Sequence, residues 1–517
     1  MGKRTLLSQA KLLAHSEAAL READVLIEAD RIIAVEPAGA IPADRADTVI
    51  DAERLLVAPG LVNGHLHSWD HYLKGCMENL TMEVAMAVIR PRRPVSITPR
   101  QMYLRTMIGA LESLRTGATT LVDDLSLGQV FSREHVDAAL QAYQDSGVRG
   151  LVGFSMIDRA VVDSYPFIAE CFPDDLLGEL RALPRPQADE LLGLVADLAK
   201  TRHPKSSRIG VVVAPSAPHR CTDDFLRACR KLADECDLPL LTHCQETRLQ
   251  IVTGEQFYGK SLVAHLADLG FLREDTTLIH GVWLSRRDID IITRTGATVQ
   301  YNPWSNAIIG AGIAPVRACL DAGINVSMGT DGVGLIFGVN MLNAMGTGAV
   351  LPNLATPDMD KWLTAREVMT AATRGGAQAL GLGDRLGVLA PGMKADLVGY
   401  RLDSTVFTPL NDPVRQIVYA ERGLNVSLVM VDGGLVLRDG KFLTVDETAL
   451  LREAQAAHAE LIGQLAVSQY DTAPFRNALE AVYLKSLSCP IAQDHFAAAI
   501  MGNNIVGRVD GPPAGAA

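Results

Sequence analysis

Two histidines separated by one residue, His65 and His67, follow the apolar run LLVAPGLVN and open the strongest chemical signal in the chain. Alternate residues of a strand project to one side, so the two imidazoles share a face and offer neutral nitrogen ligands to one borderline divalent metal. An HxH by itself describes a pair of hydrogen-bonded histidines equally well, so the reading needs further donors. His243 ends LPLLTH, and Glu246 follows three residues later. This histidine can join the first pair while the carboxylate reaches a metal-activated water. The plain alternative for Glu246 is a carboxylate satisfying backbone donors at a helix start. His280 closes TTLIH and Asp331 closes INVSMGTD, each just before a glycine. Asp331 supplies an oxygen ligand and a proton acceptor; His280 is placed to hydrogen-bond the attacking oxygen or the charge developing on a substrate. Alone, His280 reads as a buried structural histidine, but four other strand-end groups keep it company.

Such groups converge only if the elements carrying them end at one place. From about residue 57 to 380, short Leu/Val-rich or β-branched runs alternate with longer amphipathic ones, the pattern of βα units and a parallel sheet. Eight runs can be named: residues 55–63, 118–124, 148–155, 209–216, 238–243, 276–280, 297–303 and 324–331. Eight alternations favour a closed (β/α)8 TIM-type barrel, whose C-terminal strand ends form the mouth. Between them, residues 97–117, 222–237 and 260–272 show helical spacing of apolar positions. Residues 156–208 read as the largest loop insertion.

The chain ends carry short strands with tight Gly/Asp turns, and neither end alone has enough strands to bury a core. The expected organisation is therefore an α/β fold in which residues 1–56 and 385–446 pair into a small composite β-sandwich beside a barrel of residues 57–384. A helical extension follows over 447–503, with a disordered tail over 504–517. That extension is longer than a barrel needs, and either packs on a neighbouring subunit in a homo-oligomer or wraps its own barrel.

Bulk properties remove several classes of function. With 517 residues, 48% hydrophobic, the chain can bury a large core. Its net charge of −12 is dispersed, which argues against binding nucleic acid. No stretch has the length of a membrane span, and the first residues lack a secretion-signal pattern, so a cytoplasmic protein with a small-molecule substrate is expected. Eight cysteines without a CxxC pair read as reduced. Cys244, adjoining His243, either packs or approaches the metal.

Taken together, the HxH, HxxE, lone His and Asp resemble the amidohydrolase superfamily, and within it the cytosine deaminase-like group of guanine deaminase, methylthioadenosine/S-adenosylhomocysteine deaminase and the triazine hydrolases. Supporting stretches are VAPGLVNGHLH, GATTLVDD, THCQETRLQ, LIHGVWLS, YNPWSN, GIAPVRACLDAGINVSMGTDG and LGVLAPGMKADLV, spanning about residues 20 to 440. The resemblance implies His65, His67, His243 and Asp331 as metal ligands, Glu246 as proton shuttle, and His280 as the electrophilic or water-orienting group. It also implies one metal ion, zinc or alternatively Fe2+, since the fourth run, IGVVVAPS, lacks the lysine that bridges two-metal members.

Substrate signals are sparser. By resemblance to nucleoside-type deaminases, His219 is a substrate-binding residue. The arginine–glycine pair, tryptophan–leucine segment and ribose-binding glutamate of those enzymes are missing after the HxH, where the chain reads YLKG and MENLTMEVAMAVIRPRRPVS. The segment GVGLIFGVNML after Asp331 is likewise apolar. Trp69 and Trp304 adjoin the metal-site motifs and either stack on a flat ring or pack. The expected reaction is hydrolytic deamination of an amino-substituted purine, pterin, pyrimidine or triazine. Its alternatives are hydrolysis of an amide, urea, alkylamine or chloride substituent and, remotely, a non-catalytic scaffold on the same fold.

Overall fold

The computed structural model describes residues 2–89, 97–126, 132–334, 338–467, 472–492 and 494–496. The expected tail and parts of the segments after His67 and Asp331 lie outside them. The named runs emerge as eight strands in two four-stranded parallel sheets. The first holds Leu61–Leu66 (β1), Ala118–Asp124 (β2), Arg149–Gly153 (β3) and Ile209–Val211 (β4), paired in that order. The second holds Leu240–Cys244 (β5), Thr276–His280 (β6), Thr298–Tyr301 (β7) and Val326–Met328 (β8). A parallel bridge between Val213 and Leu240 links the sheets on one side. On the other, the Asp331 N–H donates to the His65 carbonyl at 2.9 Å. Val62, Val122, Leu151, Val212, Leu241 and Ile279, one from each of the first six strand regions, form one buried cluster.

The run expected as a single first strand, residues 55–63, is two. Leu55–Pro59 pairs antiparallel with Leu397–Arg401, and only Leu61–Leu66 enters the parallel sheet. The break falls at Pro59, which has no N–H to donate, and at Gly60, whose N–H turns to the Asp396 carbonyl at 3.1 Å. A Cβ on Gly60 would lie 2.1 Å from Thr119 Oγ1, so only glycine fits this crossing.

Strands from both chain ends share one nine-stranded sheet, joined where Leu55–Pro59 lies between Leu397–Arg401 and Arg4–Leu12. Leu7, Val25, Ile50, Val57, Leu397 and Met430, drawn from both ends, pack in one core. Helices arise where their caps are written. Pro99–Arg115 starts with a reciprocal Thr98/Gln101 capping box, and Asp223–Cys236 with Thr222 accepting from the Phe225 N–H.

The extension packs on its own chain. Glu447–Val467 is tied to the helix Pro99–Arg115 by Arg100–Glu453 and Arg115–Glu447 ion pairs, both at 2.6 Å. From the helix Ala473–Ser488, Phe475, Leu479 and Val482 bury against Tyr165, Phe172, Leu177 and Leu249. Among the described residues, no helix is long and apolar enough to cross a membrane.

Candidate metal centre

The C-terminal ends of β1, β5 and β6, and the turn after β8, bring His65, His67, His243, His280 and Asp331 together. Two triads, His65/His67/His243 and His65/His280/Asp331, each have donor atoms within 4.8 Å of one another, with His65 common to both. His65 Nε2 and His67 Nε2 stand 3.5 and 3.3 Å from Asp331 Oδ1. His280 Nε2 lies 3.7 Å from Asp331 Oδ2 and 3.6 Å from Glu246 Oε1.

Strand alternation accounts for part of this. Leu241 lies in the inner cluster, and His243, two residues on, faces the same way. Cys244 therefore faces the opposite layer, where it is fully buried in the outer core and burial pushes its thiol well above the usual range. It is a packing residue. His280 follows Ile279 of the inner cluster and is thus out of phase with it, and its φ of 79° leaves strand geometry at that residue. Asp331 (φ 69°) and Gln245 (φ 54°) are also left-handed. Such backbone costs about 1–3 kcal/mol per residue and persists where the surroundings hold it. For Gln245 they do: its side-chain amide donates to the Trp283 carbonyl at 2.8 Å and to Asp288 Oδ2 at 2.9 Å.

Hydrogen bonds also fix which ring nitrogen faces the centre. His67 Nδ1 donates to the Asp124 carbonyl at 2.8 Å and His243 Nδ1 to the Ser216 carbonyl at 2.7 Å. His280 Nδ1 lies 2.9 Å from Asn306 Oδ1. A carbonyl oxygen only accepts, so these protons sit on Nδ1 and the Nε2 lone pairs point inward. Asp331 receives Ser305 Oγ–H on Oδ2 at 2.6 Å and the Gly332 N–H on Oδ1 at 2.7 Å. His65 has both ring nitrogens buried without a hydrogen-bond partner.

Electrostatics keep His65, His243 and Asp331 in the forms that bind a cation, whereas at His67 burial is outweighed by the Asp331, Asp124 and Asp70 carboxylates, which raise that imidazole. Burial lowers His65 to about 4 and pushes His243 well below the ordinary imidazole value, so both are neutral. Burial opposes ionisation of Asp331, yet the neighbouring His65, His67 and His280 imidazoles outweigh it and hold the carboxyl well down. Glu246, fully enclosed, is raised by burial against the opposing pull of His280. Three imidazoles and a carboxylate, with one orphaned histidine among them, are a nitrogen/oxygen donor set that fits zinc or a similar divalent ion.

The remaining expected residues lie around this centre. His219 is buried in the turn Pro218–Arg220 after β4. The half-buried Trp69 has its ring 6.0 Å from that of His67. Trp304, also half-buried, packs against the main core on the helix Pro303–Ile308, the helix that also carries Ser305 and Asn306. Sequence reasoning did not assign roles to Ser305, Asn306, Asp124, Ser216 or Gln250. The motifs YNPWSN, GATTLVDD and THCQETRLQ held four of them; Ser216 acts through its backbone carbonyl, which leaves no side-chain pattern to read.

The amidohydrolase family model matches residues 56–436. A 5-methylthioadenosine/S-adenosylhomocysteine deaminase of Thermococcus kodakarensis is 36% identical over 417 residues, covering 80% of this chain and 89% of that protein. A 5'-deoxyadenosine deaminase of Methanothermobacter thermautotrophicus is 31% identical over 444 residues, covering 86% and 96%. An adenosine deaminase from Xanthomonas campestris with bound zinc superposes with a TM-score of 0.78 at 26% identity, over 89% of this chain and 99% of that one. An atrazine chlorohydrolase from Arthrobacter aurescens complexed with zinc gives 0.79 at 26% identity, over 88% and 100%.

Proposed function

Because the chain belongs to the amidohydrolase family, we propose that it is a hydrolytic deaminase that releases ammonia from an amino-substituted heterocycle, with His65, His67, His243 and Asp331 holding one divalent ion. The carrying observation is the placement of Glu246 beside His280 and Asp331 at the edge of that donor set. Zinc is the proposed ion, with Fe2+ as the alternative; when bound it supplies Lewis-acid chemistry that makes water a nucleophile at neutral pH.

The chain's own groups do the rest. Glu246, raised by burial, can hand a proton to a ring nitrogen next to the amino-bearing carbon and, recharged by a proton from the attacking oxygen, pass that one to the amine, which leaves as ammonia. Gln250 steadies it: the Glu246 N–H donates to Gln250 Oε1 at 3.0 Å, and Gln250 Nε2 donates to Glu246 Oε2 at 3.3 Å. His280 Nε2, aimed between Glu246 and Asp331, orients the attacking oxygen. Buried His219 contacts the ring, and half-buried Trp69 and Trp304 flank the mouth.

Around this chemistry we propose one closed (β/α)8 barrel, supported by the links between the two parallel sheets, and a composite domain from both chain ends, supported by their shared nine-stranded sheet. Eight free thiols suit the cytoplasm. Exposed Leu451 and Ile462 on the helix Glu447–Val467 favour a homo-oligomer, which light scattering would test.

The functional test is ammonia release by the purified protein from a purine, pterin, pyrimidine and triazine panel, before and after chelation and zinc readdition. Chelator-sensitive ammonia is expected; turnover only of an amide, urea or chloride substituent would replace deamination with that chemistry.

A further inference from the structure

A second polar cluster lies next to Glu246, and the chemistry above uses only its histidine. A small cavity is lined by Glu83, His219, Arg220 and Gln250, with Tyr165 and Leu249 in its wall. It adjoins Glu246 through Gln250, which hydrogen-bonds Glu246 from both ends of its amide. Glu83, His219 and Arg220 are 4%, 3% and 6% exposed. Each nonetheless keeps a buried polar atom without a hydrogen-bond partner: Glu83 Oε2, His219 Nδ1 and Arg220 Nε.

One further atom of Glu83 and one of Arg220 are anchored. Glu83 Oε1 accepts from Thr247 Oγ1, and Arg220 Nη1 donates to Ser216 Oγ at 3.2 Å. A guanidinium and a carboxyl group thus line one cavity, yet among the described residues Arg220 forms no ion pair with a carboxylate, Glu83 included. A buried guanidinium left without an anionic or carbonyl partner is strongly unfavourable, so the arrangement suits an occupant that completes it.

We propose that Glu83 and Arg220 are the specificity-determining pair of this enzyme, and that they read a lactam edge, an adjoining ring N–H and C=O, on an oxo-substituted amino-heterocycle. The proposal rests on the deaminase reading. The Arg220 guanidinium donates to the exocyclic oxygen and Glu83 Oε2 accepts the ring N–H, while His219 Nδ1 faces the same edge. An adenine ring has no carbonyl and leaves Arg220 unmatched; a site built to hydrogen-bond a substrate group discriminates strongly against an analogue lacking it.

The test compares ammonia release by the zinc-loaded full chain from guanine, cytosine and pterin, which carry the lactam edge, with release from adenine, 2-aminopurine and 5'-deoxyadenosine, which do not. At least one oxo ring is expected to exceed its oxo-lacking counterparts in kcat/KM by about 100-fold or more. Arg220→Gln should remove most of that preference, on the order of 100-fold, by lowering kcat/KM on the oxo rings more than on the oxo-lacking ones, and Glu83→Gln should remove on the order of 10-fold. Arg220→Lys keeps the charge and should recover part, and it carries the comparison should Arg220→Gln fail to fold. Calorimetric binding of xanthine and uracil, which lack the reacting amine, to metal-free protein should weaken in the same variants. Equal losses on both classes, or an intrinsic preference for the oxo-lacking nucleoside, would overturn the lactam assignment and leave deamination standing. If no ring yields ammonia, the deaminase reading fails and calorimetry decides alone: Arg220-dependent binding upholds the lactam site, and its absence overturns it.

Discussion

At the residue scale, the proposed mechanism separates groups that hold a cation from one that moves protons, and substitutions should split the same way. His243→Ala removes an inward Nε2 whose ring is locked by the Ser216 carbonyl; metal content by elemental analysis should fall well below one ion per chain, and activity with it. Glu246→Gln keeps the hydrogen bond from its N–H to Gln250 and removes only the proton-carrying oxygen. Metal content should hold while kcat falls about 10²- to 10⁴-fold, the usual contribution of a positioned acid–base group. Loss of metal in Glu246→Gln would show that this carboxylate is a ligand instead.

At the scale of elements, the parallel strands meet the terminal sheet through a buried charge cluster. Arg149 on β3 donates to Asp396 at 3.1 and 3.0 Å and to Asp432 at 2.5 Å, and Lys394 stands 3.1 Å from Asp432. Burial works to raise Asp432, but Arg149 and Lys394 outweigh it and hold its carboxyl below the ordinary range. A depressed folded-state value stabilises above the unfolded carboxylate pKa, about 3.9, and that stability is lost as pH falls from there through the lower folded-state value. Asp432→Asn should therefore cost about 2 kcal/mol near neutrality in urea unfolding, with the gap to wild type closing towards pH 3. A gap that stays constant with pH would assign the loss to packing. Arg149→Met strands two carboxylates and should cost more, about 3–5 kcal/mol.

At the scale of the whole molecule, the last described helix backs the wall of the Glu83–Arg220 cavity. Ala473–Ser488 buries Phe475, Leu479 and Val482 against Tyr165 and Leu249, which line the Glu83–Arg220 cavity. Arg248, at the start of the helix that carries Gln250, donates to the Leu487 and Cys489 carbonyls at 3.1 and 2.7 Å. A chain ending at residue 471 should keep its metal, since no donor lies on that helix, but should show a raised KM and a lower Tm. Unchanged KM would confine the helix to a role away from the site.

The amino-acid sequence alone made the donor residues legible, because metal ligation needs particular atoms and strand ends place them at HxH, LTHCQE, LIH and GTD. It also made the alternation of parallel strands legible, since burial on both faces writes continuous apolar runs. Local pattern could not decide what depends on contact between distant segments. The split at Gly60 depends on Thr119 and Asp396 closing in, and the aim of His280 on a left-handed residue that breaks strand alternation. The packing of the last helix on its own chain and the unpartnered polar atoms of Glu83 and Arg220 arise where side chains remote in sequence share one enclosed space. Periodicity records which face of an element is buried but carries no information about what buries it; only the tertiary structure supplies the partner.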